Sequence, residues 1–176
     1  MRINEIQLNE INLHVDERII IVGDIGAGKT YLLNQIRKAL MADNNPATIL
    51  TSKGNKTFLS NSQTDFDGIL NEINLDNNYT GKNYILLDEE DRYWLDDFKI
   101  LDKLESDVVY AATMHVGRGT KLQEAIENRN VAKYFSKIII CSYPSSQEYM
   151  IIDKKDENTF NWSHYERSHA SRYSYN

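Results

Sequence analysis

A glycine-rich segment constrains this chain more than any other feature of its sequence. Gly23, Gly28, Lys29 and Thr30 form the pattern Gly-x-x-x-x-Gly-Lys-Thr, in which x is any residue. A short apolar run typical of a buried strand, residues 18–22, precedes the pattern, and apolar residues at helical spacing follow it. Such a turn between a strand and a helix predicts a phosphate-binding loop, because backbone N–H groups and the helix N-terminus converge on phosphate oxygens.

The remaining apolar patterns alternate between strand and helix. Strands are predicted at residues 11–15, 47–51, 84–87, 108–113, 137–141, 149–152 and 159–162, and helices at residues 29–41, 66–73, 94–104 and 122–135. The turn 144–146 joins two of the closing strands. This order predicts an α/β fold, in which a mostly parallel central sheet is covered by helices on both faces and extended at its C-terminal end by antiparallel strands.

Composition limits the classes of protein that fit this pattern. The 176 residues, 41% of them hydrophobic, are enough for one core, which we assign to residues 1–162, with a flexible tail at residues 163–176. A net charge of −6 argues against a globally basic nucleic-acid binder, although a local basic rim on an assembled ring stays compatible. The lone Cys141, the short apolar runs and an N-terminus with no apolar signal region predict a cytoplasmic protein with no membrane insertion.

An acidic pair supplies the second half of a nucleotide site. Asp88 and Glu89 follow the predicted strand 84–87, where an aspartate can hold Mg²⁺ and a glutamate can polarise an attacking water. In the glycine-rich loop, Lys29 is predicted to reach the β- and γ-phosphates, and the Thr30 hydroxyl to coordinate Mg²⁺. We therefore expect ATP and Mg²⁺ as cofactors, with the nucleotide bound by Gly23, Asp24, Ile25, Gly26, Ala27, Gly28, Lys29, Thr30 and Tyr31.

The loop and the acidic pair together resemble the additional-strand, catalytic-glutamate (ASCE) division of P-loop ATPases. That resemblance extends over about residues 11–152. It implies a P-loop NTPase fold in which one more strand lies between the strand before the loop and the acidic strand. Residues 108–113 are the expected extra strand, and Thr113 or His115 is the expected sensor of the γ-phosphate.

Two motor families share further motifs with the chain. The segment Ala-Thr-Met-His at residues 112–115, with Gly117 and the helix pattern at 122–126, resembles the histidine box of type II and type IV secretion ATPases. Those enzymes usually carry Gly-Glu in place of Asp88-Glu89, and this acidic pair is closer to viral genome-packaging ATPases, whose sensor is commonly glutamine. Both resemblances imply a homo-oligomeric ring that moves DNA or protein cargo and docks on a portal or a secretion complex.

Arg118 lies between two glycines just after the expected sensor. We interpret it as an arginine finger acting on the ATP of a neighbouring subunit, with a solvated loop charge as the alternative. At the level of the whole chain, the alternative to a motor is a nucleotide-gated switch, or a module like a transporter cassette, with little turnover. A transporter cassette proper lacks support, because no Leu-Ser-Gly-Gly-Gln signature follows the loop.

Two other small P-loop families fit less well. The loop is very close to that of the ATPase that supports tRNA threonylcarbamoylation, but that family has Glu-Trp near its second acidic strand, and Trp94 lies well past Glu89. A small nucleotide kinase fits the length, yet it needs no glutamate beside Asp88, and no arginine-rich lid is visible in the sequence.

Overall fold

The computed structural model describes residues 5–8, 11–14, 16–42, 45, 47–51, 84–88, 109–117, 120–141 and 149–165. The predicted helices at 66–73 and 94–104, the turn at 144–146, Glu89, Arg118 and residues 166–176 lie outside the described residues. None of the helices in these ranges is both long enough and apolar enough to cross a membrane.

The described strands form one small and one large sheet. Their bounds in chain order are β1 Glu5–Leu8, β2 Ile11–His14, β3 Ile19–Gly23, β4 Ala47–Thr51, β5 Tyr84–Asp88, β6 Val109–His115, β7 Lys137–Cys141 and β8 Tyr149–Asp153. β1 and β2 pair antiparallel, whereas the larger sheet has six strands in the order β4-β5-β6-β3-β7-β8. Its first five strands are parallel and β8 is antiparallel to β7, as the alternating pattern predicted.

Helices cover both faces of the large sheet. Helix α1 is Lys29–Ala42, α2 is Leu122–Asn128 and α3 is Val131–Tyr134. Successive side chains of β3 point to opposite faces, so Ile19 and Ile21 pack with the buried side of α1, while Ile20 and Val22 pack with α2 and α3. Because β3 is buried on both faces, its sequence is a continuous apolar run, and the predicted three-layer sandwich is confirmed.

β6 lies between β3 and β5. It pairs parallel with both neighbours, so it is the extra strand that the ASCE resemblance predicted. The strand continues through Met114 and His115, two residues beyond the predicted strand 108–113. This extension places His115 opposite Gly23, at the start of the phosphate-binding loop, which we define as residues 23–30.

Two local predictions differ from the structure. The helix predicted at residues 122–135 is divided into α2 and α3 by Asn130, whose φ of 51° is left-handed, a conformation that asparagine tolerates. The strand predicted at residues 159–162 is reduced to one bridge between Lys154 and Phe160. Phe160 and Trp162 are nevertheless buried, and Tyr165 packs edge-on against Trp162, so the apolar alternation anchors this segment to the core without a ladder.

Candidate nucleotide-binding site

The phosphate-binding loop depends on glycine for two separate reasons. Gly23 ends β3 against β7, and a Cβ at this position would lie 2.8 Å from the carbonyl oxygen of Cys141. Gly26 and Gly28 adopt positive φ angles of 77° and 92°, which side-chain-bearing residues rarely adopt. The loop closes with a hydrogen bond of 3.2 Å from the Ala27 N–H to the carbonyl oxygen of Asp24. Its tight curvature directs the chain from the end of β3 into α1.

Lys29 is held over the loop by the loop's own backbone. It is the first residue of α1, and its Nζ donates to the carbonyl oxygens of Gly23, at 2.9 Å, and Asp24, at 2.8 Å. These bonds satisfy donors of the ammonium group while keeping it at the helix N-terminus. The Lys29 ammonium therefore lies at the helix N-terminus, whose partial positive charge also favours a bound anion.

Asp88 connects three elements at the carboxyl end of the sheet. It is the last residue of β5 and is only 6% exposed. Its Oδ1 accepts hydrogen bonds from Thr30 Oγ1, at 3.2 Å, and from Thr113 Oγ1, at 2.9 Å. Thr113 is fully buried in β6, and Thr30 lies in the first turn of α1. One carboxylate oxygen thus links the strand next to β3, the acidic strand and the helix that follows the loop.

His115 lies on the same side of the loop. The N–H of the following residue, Val116, donates to the carbonyl oxygen of Gly23 at 3.1 Å, which fixes the end of β6 beside the loop. The Nδ1 atom of His115 is buried and has no hydrogen-bond partner among the described residues. A buried nitrogen without a partner is costly unless a ligand or water supplies one, so this imidazole is suited to contact a bound group.

Cys141 closes the other side of the loop but is poorly suited to chemistry. Burial raises the pKa of its thiol to about 11, and the nearby Lys29 ammonium lowers it by a smaller amount. The thiolate is the nucleophilic form of cysteine, so a thiol with so high a pKa is inert near neutral pH. Cys141 contributes its backbone oxygen and its bulk to the wall behind Gly23.

The donor set fits Mg²⁺ bound together with phosphates. Thr30 Oγ1 and Asp88 Oδ1 are hard oxygen ligands that lie within hydrogen-bond distance of each other. Mg²⁺ characteristically takes one or two protein oxygens and completes its octahedron with phosphate oxygens and waters. The hydroxyl and the carboxylate are therefore the residues that would hold the ion.

Most of the sequence-predicted site residues lie together at the carboxyl end of the parallel sheet. The structure brings together Lys29, Thr30, Asp88, Thr113 and His115 around the loop. Ile25 and Tyr31, which were also predicted to bind nucleotide, are 78% and 64% exposed. The roles of Glu89 and Arg118 stay predictions, since both residues lie outside the described ranges.

Sequence reasoning missed Tyr149, which it treated as part of a closing core strand. Tyr149 is the first residue of β8 and pairs with Cys141, beside the phosphate-binding loop. The sequence feature that could have indicated this position is an aromatic residue at the start of β8, the strand that follows β7 and pairs with it. Only the register between β7 and β8 shows that this position lies near the loop.

The parallel sheet, its extra strand and the glycine-rich loop before α1 define a P-loop NTPase fold.

The structure is similar to two structures of the genome packaging NTPase B204 from Sulfolobus turreted icosahedral virus 2. The complex with AMPPCP has a TM-score of 0.50, 14% identity, and coverage of 85% of this chain and 97% of that chain. The complex with AMP has a TM-score of 0.52, with the same 14% identity and coverage of 85% and 97%. At this identity the likeness shows the fold. No protein-family model and no curated protein matches the sequence.

Proposed function

We propose that the chain is an ATPase that converts ATP and water to ADP and phosphate, and that it is the motor domain of a ring that translocates a polymer. The observation that carries the proposal is the shared Asp88 oxygen, bonded to Thr30 and Thr113 beside the loop that holds Lys29. A hydroxyl, a carboxylate and an ammonium group in this arrangement support the proposal, because an anionic, metal-bound nucleotide is bound by such groups. The similar fold of a genome packaging NTPase favours DNA as the polymer over the protein cargo of a secretion system.

The groups that would bind the nucleotide are hydrogen-bonded to other parts of the site in this structure. The Lys29 ammonium exchanges the carbonyl oxygens of Gly23 and Asp24 for β- and γ-phosphate oxygens. Thr30 and Asp88 would hold Mg²⁺, which would offset negative charge on the phosphates. The backbone N–H groups of the loop add donors of fixed direction, so the charge that develops during hydrolysis is stabilised without reorganisation.

The remaining steps rest on residues assigned from sequence. Glu89 orients and deprotonates the attacking water, because it directly follows the metal-holding Asp88. Thr113 and His115 report the γ-phosphate to the loop that follows β6, and Arg118 in that loop reaches the ATP of a neighbouring subunit. Residues 1–162 form the catalytic unit. The ring works in the cytoplasm, or in the host cytoplasm if the chain is viral, and docks on a portal or a secretion complex.

Steady-state ATP hydrolysis with and without double-stranded DNA tests the proposal. We expect Mg²⁺-dependent turnover that increases when DNA is added, and loss of nucleotide binding in Lys29→Ala. Micromolar ATP affinity in the Lys29→Ala variant would contradict the assignment of the loop. ATP binding without measurable turnover, in the presence and absence of DNA, would favour the nucleotide-gated switch instead.

A further inference from the structure

Two tyrosines lie near the phosphate-binding loop: Tyr31, which was predicted from the sequence to bind nucleotide, and Tyr149, which was not. Tyr31 follows Thr30 in the first turn of α1 and is 64% exposed. Tyr149 is partly buried and packs against the apolar cluster that includes the buried side of α1. We call Tyr31 and Tyr149 the tyrosine pair.

The position of Tyr149 follows from strand register. Tyr149 pairs with Cys141, the last residue of β7, and the Cys141 carbonyl oxygen lies against Gly23. Tyr149 therefore lies at the carboxyl end of the sheet, on the face that α1 covers. Burial raises the pKa of Tyr149, and the neighbouring Cys141 and Tyr31 raise it further, as expected if the two phenols share one surface.

The polarity of the site determines which end of a nucleotide this surface meets. Asp88 and Thr113, which belong to β5 and β6, lie on one side of β3, whereas β7 and β8 lie on the other side. The γ-phosphate must lie toward Asp88 and Thr113, because the metal-holding carboxylate and the expected sensor are there. A nucleotide laid across the loop then extends its sugar and base away from β6, toward β7 and β8.

We propose that Tyr31 and Tyr149 form the nucleobase-binding surface of this ATP site, an inference that rests on the proposed function. An aromatic ring offers a flat apolar face on which a purine stacks, and the hydroxyl at its edge can stay hydrated or bond to the ligand. Partial exposure of both rings leaves such a face open to a ligand. Binding of the base buries apolar area that is now in contact with water, which favours the complex.

The test compares ligands with and without a base. Affinities for ATP and for inorganic tripolyphosphate, each with Mg²⁺, are measured by calorimetry on the full chain and on Tyr31→Ala and Tyr149→Ala. Loss of one stacking partner should weaken ATP binding roughly 5- to 100-fold while tripolyphosphate binding is unchanged. Tyr31→Phe and Tyr149→Phe, which keep the ring, should lose less ATP affinity than the matching alanine variants.

Met41→Ala is the matched control. Met41 is 50% exposed on the same helix, about 15 Å along the axis from Tyr31, so its truncation should change neither affinity. Unchanged tripolyphosphate binding also shows that each tyrosine variant is folded. Alanine variants that keep the parental ratio of ATP to tripolyphosphate affinity would refute the nucleobase-binding role of the tyrosine pair. The ATPase proposal would stay intact. A parent that binds neither ligand would overturn both.

Discussion

Replacing Gly23 by alanine places a methyl group against the backbone of the neighbouring strand. The added Cβ would lie 2.8 Å from the Cys141 carbonyl oxygen and 3.1 Å from the Ala27 Cβ. The closer partner is main chain in the centre of the sheet, which cannot rotate away as a flexible side chain would. Forcing extra volume into a packed site costs about 1–3 kcal/mol, so we expect Gly23→Ala to lower the free energy of unfolding by that amount.

Gly28 and Gly117 provide matched comparisons. A Cβ on Gly28 meets no atom of the described residues within 4 Å, but the φ of 92° makes alanine strained there, which costs about 1–3 kcal/mol for a different reason. Within the described part of the chain, a Cβ on Gly117 has only the His115 Nε2 atom nearby, at 3.6 Å, an ordinary contact. Gly117→Ala should therefore change stability by no more than roughly 0.5 kcal/mol.

Urea unfolding followed by circular dichroism, without nucleotide, measures all three variants. The slopes should stay equal to that of the parent, so that differences in midpoint report stability. An added Ala27→Gly change removes the 3.1 Å contact of Gly23→Ala but leaves the backbone contact, so it should restore little of the lost stability. A Gly23→Ala protein with the parental midpoint, or one more stable than Gly117→Ala, would refute the packing argument.

Four further predictions concern the site itself. Thr113→Val removes the donor to Asp88 and should lower the free energy of unfolding by about 1.5–3 kcal/mol in urea; an unchanged midpoint would contradict the bond. Glu89→Gln should keep ATP bound while cutting turnover at least ~10²-fold, and parental turnover would place the base elsewhere. Arg118→Ala subunits and Lys29→Ala subunits should each be inactive alone, and a mixture of the two should regain ATP turnover. A fully active Arg118→Ala protein would exclude a finger in trans. Alkylation of Cys141 at pH 8 should be slow in the native protein and fast in urea, because burial raises its pKa to about 11; equal rates would contradict its burial.

Strand β3 was predictable because it is a short apolar run that is buried on both faces of the sheet. The bounds of β4 Ala47–Thr51 and β7 Lys137–Cys141 match the sequence prediction. β1 was missed, since a strand of four residues with two apolar side chains carries little signal. Its backbone pairs with β2 and lies against α1, and such tertiary contacts cannot be predicted from the local sequence pattern.

The sequence predicted which residues lie together around the loop, but less of how they contact one another. The glycine pattern identified Lys29 and Thr30, and the strand end identified Asp88, because each signal is local. The choice between Thr113 and His115 could not be made from sequence, since both side chains point to the same face of β6. The register of Leu87 with Ala112, after an irregularity at Ile85 and Leu86, is what brings the Thr113 hydroxyl to Asp88.

Strand β3 obtains both of its sheet neighbours from much later parts of the chain. β6 begins only at Val109, and β7 ends at Cys141. The Arg18 N–H bonds to the Ser136 hydroxyl across a separation of 118 residues. Closing such distances costs chain entropy before any contact compensates for it, so a sheet of this topology forms slowly. During synthesis, the hydrogen-bonding edges of β3 therefore stay unpaired until β6 and β7 have left the ribosome, and aggregation competes with folding over that interval.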